Sequence, residues 1–393
     1  MKSDTGAGDN AENTHLNKLN PHKLRIVLVL QGGGALGAYQ AGVYQALHEH
    51  DLVPDWIVGT SIGAVNAALI AGNEKANRLQ RVKAFWDLTA HRDALDMESA
   101  SDSQRRTNIW FNTLDSFVRG IPGFFMPRWF SGFAMGMPVA PEQASFYDTV
   151  PLRETLERLV DFDYLNAPGG MRLTVNAVNV CTGELAHFDS EGGELCADHV
   201  RASCSLPPGF AATRLGDALY WDGGLYSNTP LESVLKELPP GDTLCFMVDL
   251  WSAQGNAPVT LDEVQTRQKD VMFASRSKRH IDDYVSTHAL QRKLRELHAR
   301  LPASARTPDD EAALGALGCD STLHIVRLAY TGHDWHMAAK DVNFSKGSIE
   351  WRWDQGYRHA LRALKHAGWL TEVSEDTAVV VHELPGVEAA GLS

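Results

Sequence analysis

The sequence predicts an α/β fold in which a mostly parallel central sheet is flanked by helices. Three observations support this prediction. Short, almost wholly apolar segments lie near the start of the chain, glycine-containing turns follow two of them directly, and segments with helical spacing come next. A repeated order of strand, turn and helix is typical of parallel strands joined by right-handed crossovers.

The individual elements follow from local patterns. Residues 24–30 form a short run rich in β-branched side chains, which predicts a strand buried on both faces. Residues 38–50 carry apolar side chains at helical spacing. A second strand is expected at 56–58 and a small-residue helix at 64–71. Further strands are expected at 171–180, 244–250 and 323–329, and further helices at 76–89 and 349–366. A long, charged helical region is expected at 260–301 and a loop-rich stretch at 204–228.

Composition restricts the class of function. The chain has 393 residues, of which 44% are hydrophobic and 22% are charged, as in ordinary globular proteins. Its net charge of -13 argues against a nucleic-acid partner, because phosphate binding needs concentrated Lys and Arg. The five cysteines include no CxxC pair, so neither a disulfide framework nor a zinc site is expected. His333 and His336 flank Asp334, but no third ligand is apparent and no metal site is predicted.

The first 20 residues are polar and contain no apolar core of signal-peptide length. No apolar stretch is long enough to span a bilayer. We therefore expect a cytoplasmic protein, with peripheral membrane contact as an additional property. Oligomeric state is not indicated by the sequence.

A glycine-rich loop follows the first predicted strand. Gly32, Gly34 and Gly37 fit the G-x-G-x-x-G pattern of dinucleotide-binding loops. That pattern also requires an acidic residue at the end of the second strand, where this chain has Gly59, Thr60 and Ser61, so nucleotide binding is disfavoured. Glycines still let several backbone N–H groups converge beside a helix N-terminus, where an oxyanion binds as well as a phosphate.

The motif Gly59-x-Ser61-x-Gly63 joins the second strand to a helix, as in a nucleophile elbow. Ser61 would then stand at the carboxyl end of a parallel strand, where the sites of open α/β sheets collect. The alternative interpretation is that Ser61 only caps the following helix.

A nucleophilic serine needs a base. The Ser, Asp, His order of α/β-hydrolases is disfavoured, because their elbow follows several strands and this one follows only the second. Asp222, which precedes Gly223 and Gly224, is a simpler candidate, since a carboxylate in a dry site with a direct hydrogen bond can serve as a base. The alternative is that Asp222 only forms a turn.

Together, these motifs resemble those of the patatin-like phospholipases. The resemblance covers about residues 24–240 and includes the glycine loop, the serine motif and the Asp-Gly-Gly motif, in the order of the family. The matching positions outside these motifs are Ser203, Ser205, Pro207, Phe210, Asn228 and Pro230.

The resemblance implies a Ser–Asp dyad without histidine, in which Ser61 is the nucleophile and Asp222 the base. It assigns the oxyanion hole to the backbone amides of Gly32, Gly33, Gly34 and Ala35. The motif glycines that support this geometry are Gly37, Gly59, Gly63, Gly223 and Gly224.

The implied activity is that of a serine hydrolase acting on carboxylic esters of lipids, as a phospholipase A does, without a metal or organic cofactor. Many family members have a basic residue where this chain has Leu36. A neutral ester would not need that charge, so a storage polyester or an acyl thioester is an alternative substrate. A catalytically silent lipid-binding protein is the alternative class.

The resemblance also suggests how the chain is divided. We expect a disordered tail at 1–22, a catalytic domain at 23–250, an extension packed on it at 251–370 and a loosely ordered tail at 371–393. Residues 260–301 resemble an extension found in a bacterial subset of the family, and their Lys and Arg side chains are expected to form a solvated helix face. Residues 121–140, dense in Phe, Met, Trp, Gly and Pro, are expected to form either a buried loop or an apolar segment that serves as a substrate mouth or a membrane-contact flap.

Overall fold

The computed structural model describes residues 24–91, 114–129, 136–237, 241–274, 276–302, 306–307, 309–310, 312, 322–332, 339–365 and 378–383. Eleven strands are assigned within these ranges. They are β1 (Arg25–Leu30), β2 (Trp56–Thr60), β3 (Met126–Pro127), β4 (Tyr147–Asp148), β5 (Arg172–Asn179), β6 (Leu185–Asp189), β7 (Thr213–Leu215), β8 (Ala218–Asp222), β9 (Thr243–Asp249), β10 (Leu323–Ala329) and β11 (Val379–Glu383).

The α-helices with defined bounds in the same ranges are α1 (Ala38–Glu49), α2 (Ile62–Ala71), α3 (Lys75–Thr89), α4 (Val150–Leu159), α5 (Phe162–Leu165), α6 (Ala197–Ser203), α7 (Leu231–Lys236), α8 (Leu261–Phe273), α9 (Ser277–Ala299) and α10 (Lys346–Lys365). A single 3₁₀ turn, Gly34–Gly37, precedes α1.

The described strands form one nine-stranded sheet and a separate β3–β4 pair. Along the large sheet the order is β11, β10, β9, β1, β2, β5, β8, β7, and β6 also pairs with β5. The pairings from β11 to β5 are all parallel, whereas β6, β7 and β8 pair antiparallel. The predicted α/β fold with a mostly parallel central sheet and flanking helices is confirmed.

Strand β1 lies at the centre because both of its faces are apolar. Leu28 and Leu30 belong to the larger core, which the sheet shares with α1, α2, α3 and α10. Val27 and Val29 point to the other face, where the smaller core includes Leu231 of α7. The alternation of side chains along a strand thus buries nearly all of β1 and explains its continuous apolar run.

The C-terminal helix α10 packs tightly against α1. A Cβ atom at Gly42 would overlap the carbonyl oxygen of Trp353, and one at Gly356 would overlap that of Tyr39. These glycines let the two helix backbones approach closely. The C-terminal helix α10 therefore belongs to the same hydrophobic core as α1.

The helical region predicted at 260–301 is confirmed and consists of two helices, α8 and α9, because Ala274 leaves the helical conformation with ψ 145°. Two other local expectations need correction. The loop-rich stretch at 204–228 contains β7 and β8. Within the expected tail at 371–393, Val379–Glu383 forms the edge strand β11, and β10 and β11 extend the sheet of the expected catalytic domain. The predicted tail at 1–22 lies outside the described residues.

The buried-loop interpretation of residues 121–140 holds for only part of the segment. Ile121, Phe124 and Phe125 are buried in the core. Trp129 and Met137 are 73% and 67% exposed. Residues 130–135 lie outside the described part of the chain.

Candidate active site

The predicted site residues lie at the carboxyl edge of the parallel strands. The glycine loop leaves the end of β1, and Ser61 leaves the end of β2. Strand β1 lies between β2 and β9 in the sheet. The strand that follows β1 in the sequence, β2, pairs with one edge of β1, and the much later strand β9 pairs with the other edge. Open α/β sheets bind ligands where such a change of direction leaves a crevice.

The turn at Ser61 is sharply strained. Its φ of 56° and ψ of -126° lie in a region that residues with side chains rarely adopt, at a cost of about 1–3 kcal/mol. A Cβ at Gly63 would overlap the carbonyl oxygen of Leu30, which explains the glycine there. The Ser61 side chain makes no capping hydrogen bond, so the capping interpretation is not supported.

The buried side chain of Ser203 stabilises this turn. Its hydroxyl oxygen accepts a hydrogen bond from the Ser61 N–H at 2.9 Å. Ser203 is the last residue of α6 and is fully buried. Ser203 therefore supports the elbow at Ser61.

Asp222 ends β8, which pairs antiparallel with β5 so that Asp222 lies opposite Ala177. Its N–H donates to the carbonyl of Ser205 at 3.0 Å. One carboxylate oxygen accepts the N–H of Gly224 at 2.7 Å, which is the turn that the Asp-Gly-Gly sequence predicts. Asp222 and Ser61 line the same cavity, and the Ser61 side chain acts to lower the pKa of the Asp222 carboxyl group. Asp222 thus forms the turn and also lies at one site with the serine.

Burial controls the charge of Asp222. The residue is 3% exposed, and desolvation raises the pKa of its carboxyl group to about 7, against the opposing effects of the Ser61 side chain and of the Gly224 N–H. The adjacent thiol of Cys204 is buried as well, and its pKa is also raised by burial. A carboxylate with a pKa near neutrality is suited to proton transfer at physiological pH.

Two of the four amides assigned to the oxyanion hole are already bonded. The N–H of Gly32 donates to the carbonyl of Asn228 at 3.1 Å, and that of Ala35 donates to the carbonyl of Asp341 at 2.8 Å. Among the described residues, the N–H groups of Gly33 and Gly34 have no acceptor. A developing negative charge would therefore be met by Gly33 and Gly34 rather than by all four residues.

A buried glutamine, which the sequence analysis did not single out, anchors the glycine loop. Gln31 is fully buried and donates its side-chain amide to Thr229 at 2.7 Å and to the carbonyl of Phe273 at 2.9 Å. Its side-chain oxygen accepts the N–H groups of Trp251, at 3.0 Å, and Leu250. A polar residue between an apolar strand and a run of glycines is the one local signal that could have identified it.

A second group of buried amides supports the start of α1. Gln40 donates to the carbonyl of Gln31 at 2.6 Å. Asn66 donates to the carbonyl of Gly37 at 3.0 Å and to Gln40 at 2.9 Å, and it accepts the indole N–H of Trp86 at 3.0 Å. Because these polar atoms satisfy one another, the network fixes the loop without leaving unpaired buried groups.

Asn228 and Trp251 hold the first glycine of the loop from the other side. The Asn228 side-chain amide donates to the carbonyl of Gly32 at 3.1 Å and to that of Phe273 at 2.9 Å. The indole N–H of Trp251 also donates to the Gly32 carbonyl, at 2.8 Å. The resemblance had pointed to Asn228, whereas nothing in the sequence pointed to Trp251.

A cavity of about 100 Å³ opens beside Ser61, Asp222 and the glycine loop. Its walls are mainly apolar, and its only charged lining residues among those described are Asp222 and Asp341. Leu36, which occupies the position of the family's basic residue, is fully buried. The aromatic lining residues are Phe124, Phe125, Phe210, Trp251, Phe273 and Phe344.

The described residues contain no group of three or more His, Cys, Asp and Glu side chains arranged to bind a metal ion. His333, Asp334 and His336 lie outside them. Of the helices within the described ranges, none combines the length and apolarity needed to cross a bilayer.

Comparison with protein families gives two matches. The model described as patatin-like phospholipase matches residues 28–235, which contain the glycine loop, Ser61 and Asp222. A model described as patatin phospholipase matches residues 271–376, which contain α9, β10 and α10.

Similarity to curated proteins is confined to short stretches. A patatin-like phospholipase domain-containing protein of Pyricularia oryzae is 42% identical over 73 residues, which are 18% of this chain and 9% of that protein. Triacylglycerol lipase SDP1L of Arabidopsis thaliana is 46% identical over 46 residues, 12% of this chain and 6% of the relative. The matched stretches thus span less than a tenth of the relatives' own length.

Among solved structures, VipD from Legionella pneumophila is similar with a TM-score of 0.39 at 15% identity, covering 88% of this chain and 67% of VipD. Human GIVD cytosolic phospholipase A2 gives a TM-score of 0.31 at 12% identity, covering 92% of this chain and 65% of that one. The family assignment rests on the first family model, which matches more than half of the sequence. The chain belongs to the patatin-like phospholipase family.

Proposed function

We propose that this protein is a serine hydrolase that cleaves carboxylic esters of lipids with a Ser61–Asp222 dyad. One observation supports the proposal above all. Ser61 and the buried Asp222 line one apolar cavity, beside two backbone amides that have no acceptor among the described residues, and the Ser61 side chain acts to lower the pKa of the Asp222 carboxyl group. Nucleophile, base and oxyanion donors are the three components that acyl transfer requires.

The mechanism uses each of these groups in turn. Asp222 accepts the hydroxyl proton while the Ser61 oxygen attacks the ester carbonyl. The negative charge that develops on the carbonyl oxygen is stabilised by the N–H groups of Gly33 and Gly34, and one such donor typically lowers the barrier by about 3–4 kcal/mol. The protonated Asp222 then donates to the leaving alcohol, and water releases the acyl group by the same steps in the second half of the reaction.

The strained backbone and the helix that follows it assist the nucleophile. The turn presents Ser61 at the start of α2, whose N-terminal end carries a partial positive charge. That potential stabilises an alkoxide-like oxygen as the proton leaves. The cost of the strain is met by the surrounding packing, including the Ser203 hydrogen bond.

The test compares three purified variants with wild-type protein. Ser61→Ala should abolish both p-nitrophenyl ester cleavage and labelling by a fluorophosphonate probe. Asp222→Asn should remain folded and lose several decades of rate, whereas Ser286→Ala on the exposed face of α9 should keep full activity. Undiminished labelling of Ser61→Ala would exclude the proposed nucleophile, and absence of labelling in wild-type protein would favour a catalytically silent lipid-binding protein.

A neutral ester is the second candidate substrate. The described cavity lining contains no Lys, Arg or His, and Leu36 supplies no charge to the loop. A phosphate head group would therefore lack a cationic partner in the wall, whereas an acylglycerol, a storage polyester or an acyl thioester needs none. Turnover measured side by side on phosphatidylcholine liposomes, triglyceride emulsion, polyhydroxybutyrate and an acyl thioester would distinguish these substrates.

Peripheral membrane contact is part of the same proposal. Met126 follows the cavity-lining Phe124 and Phe125 and is 47% exposed, and Trp129, three residues further along the chain, is 73% exposed. Apolar side chains at the rim of a lipid-accepting cavity are suited to the surface of a lipid aggregate. Co-sedimentation with phosphatidylcholine vesicles, which Trp129→Ala should weaken, tests this point. The cytoplasmic location stays a prediction from the sequence.

A further inference from the structure

The dipeptide Lys-Asp occurs at two facing places near the site. Lys269 and Asp270 lie in the last turns of α8, and Lys340 and Asp341 lie in the loop before α10. The Lys269 ammonium contacts both oxygens of Asp341, at 2.8 and 3.0 Å, and the Lys340 ammonium contacts Asp270 at 2.6 Å. The two ion pairs therefore cross, each linking helix to loop.

These pairs are not a solvated helix face. The Lys340 and Asp270 side chains are 12% and 17% exposed, and those of Lys269 and Asp341 are 33% and 19% exposed. Partly buried pairs are weakly screened, and removing one partner leaves the other charge uncompensated. The expectation that the Lys and Arg side chains of residues 260–301 form a solvated helix face therefore does not hold for Lys269, which is 33% exposed and paired with Asp341.

The loop end of this arrangement contacts the glycine loop directly. The Asp341 carbonyl accepts the N–H of Ala35 at 2.8 Å. Gly34 lies so close that a Cβ atom there would overlap the same carbonyl oxygen. From the opposite side, the buried guanidinium of Arg352 donates to the carbonyls of Lys340 and Asn343, each at 3.0 Å.

The helix end reaches the glycine loop by a second route. The Phe273 carbonyl at the end of α8 accepts the amides of Gln31 and Asn228. The Lys340 ammonium lies 4.9 Å from the ring centroid of Trp251, whose indole donates to the Gly32 carbonyl. Residues on both sides of Gly33 and Gly34 are thus tied to the two segments that the ion pairs hold together.

We propose that the crossed pairs Lys269–Asp341 and Lys340–Asp270 are positioning residues, which fix the direction of the Gly33 and Gly34 amides toward the developing oxyanion. The inference rests on the proposed function and extends it, because it makes α8 and the loop before α10 part of the catalytic unit. Neither pair contacts the reacting atoms. Their effect passes through the Asp341 carbonyl and the Trp251 indole.

The first experiment reverses one charge. In Lys269→Asp, two carboxylates face each other and the loop at Asp341 moves away from Ala35. A misplacement of about 1 Å in a catalytic group costs about 100-fold, so we expect kcat to fall about 10- to 100-fold while KM changes little. The rate of fluorophosphonate labelling at Ser61 should fall in parallel.

Three further variants separate positioning from simple stability. Lys269→Asp combined with Asp341→Lys restores an opposite pair and should recover most of kcat, and Lys269→Arg should stay near wild type. Arg279→Asp reverses an exposed charge on α9, where the Arg279–Asp283 pair is 84% and 73% exposed, and should leave kcat unchanged. If Lys269→Asp does not fold, Lys269→Met serves in its place with the same expectation.

The outcomes distinguish this inference from the proposed function. If wild-type protein is labelled at Ser61 and folded Lys269→Asp is labelled at the same rate, the positioning role is overturned while the proposed function stands. A lower melting temperature with unchanged kcat per folded molecule overturns it as well. If wild-type protein shows neither labelling nor turnover that depends on Ser61, the proposed function fails, and the inference fails with it.

Discussion

The hydroxyl of Ser203 accepts a hydrogen bond from the backbone N–H of Ser61 at 2.9 Å. Ser203 is fully buried, and Ser61 holds a φ of 56° that its side chain disfavours. The last residue of α6 therefore helps to keep the turn after β2 in its strained form.

Replacement of Ser203 by Ala should weaken that turn. The Ser61 N–H would lose its acceptor in a buried place, so the free energy of unfolding should fall by about 1–3 kcal/mol. Relaxation of the turn moves the Ser61 oxygen, and kcat should fall by at least about tenfold. Urea denaturation and ester turnover test the two effects, with Ser286→Ala as the control. A stable Ser203→Ala variant with full activity would show that the turn needs no support.

The rate should rise with pH as Asp222 ionises. Burial places the pKa of this carboxyl group at about 7, and only the carboxylate can accept the serine proton. A plot of kcat/KM against pH should therefore climb through a midpoint near 7 and level above it. A profile that is already flat between about pH 5 and 8 would contradict a base with this pKa.

The same shift predicts a stability difference between wild type and Asp222→Asn. The folded-state pKa of Asp222, about 7, lies above the ordinary aspartate value of 3.8 that applies to the unfolded chain, so the folded state binds the proton more tightly than the unfolded state. The stability from the protonated carboxyl group is fully present below 3.8 and is lost as pH rises through about 7. Relative to Asp222→Asn, wild type should lose stability across this window, as measured by urea denaturation at several pH values. A constant difference would contradict the shift.

Two glycines with similar backbone angles allow a matched comparison. Gly34 has φ +55° and Gly216 has φ +58°. A Cβ at Gly34 would overlap the Asp341 carbonyl, whereas at Gly216 no atom lies within 4 Å. Both alanine variants incur strain of about 1–2 kcal/mol from the positive φ.

Only Gly34→Ala should also displace the oxyanion amides and lower kcat by about 100-fold or more. The melting temperature measures the strain that both variants share, and ester turnover measures the displacement of the amides that is expected only in Gly34→Ala. Equal activity of Gly34→Ala and Gly216→Ala would remove Gly34 from the proposed oxyanion site.

Much of the central fold could be predicted because its signals are local. Strands β1 and β9 are buried on both faces, so the interiors of their sequences are continuous apolar runs, and β10 departs from such a run only at His324 and Arg327. The elbow at Ser61 is similarly visible, because backbone crowding between β1 and α2 permits only glycine at position 63.

Other parts depend on contacts that no local pattern encodes. Strands β7 and β8 are short and partly exposed. Strand β11 lies at the edge of the sheet, and β10 is the only described strand that pairs with it. The glycines indicate a loop that can bind an anion, but which amides stay unbonded depends on the carbonyls of Asn228 and Asp341. Lys269 and Asp341 are ordinary surface residue types, and only the fold brings them together.

The place of β1 between β2 and β9 has a consequence for the order of synthesis. A ribosome that has translated Asp222 has made every residue of the proposed dyad, yet Thr243, which pairs with Arg25, is not yet made. The partners that hold the glycine loop, Trp251 and Asp341, emerge later still. A nascent chain that has just received Asp222 therefore holds both residues of the proposed dyad before the strand and the side chains that position the glycine loop exist.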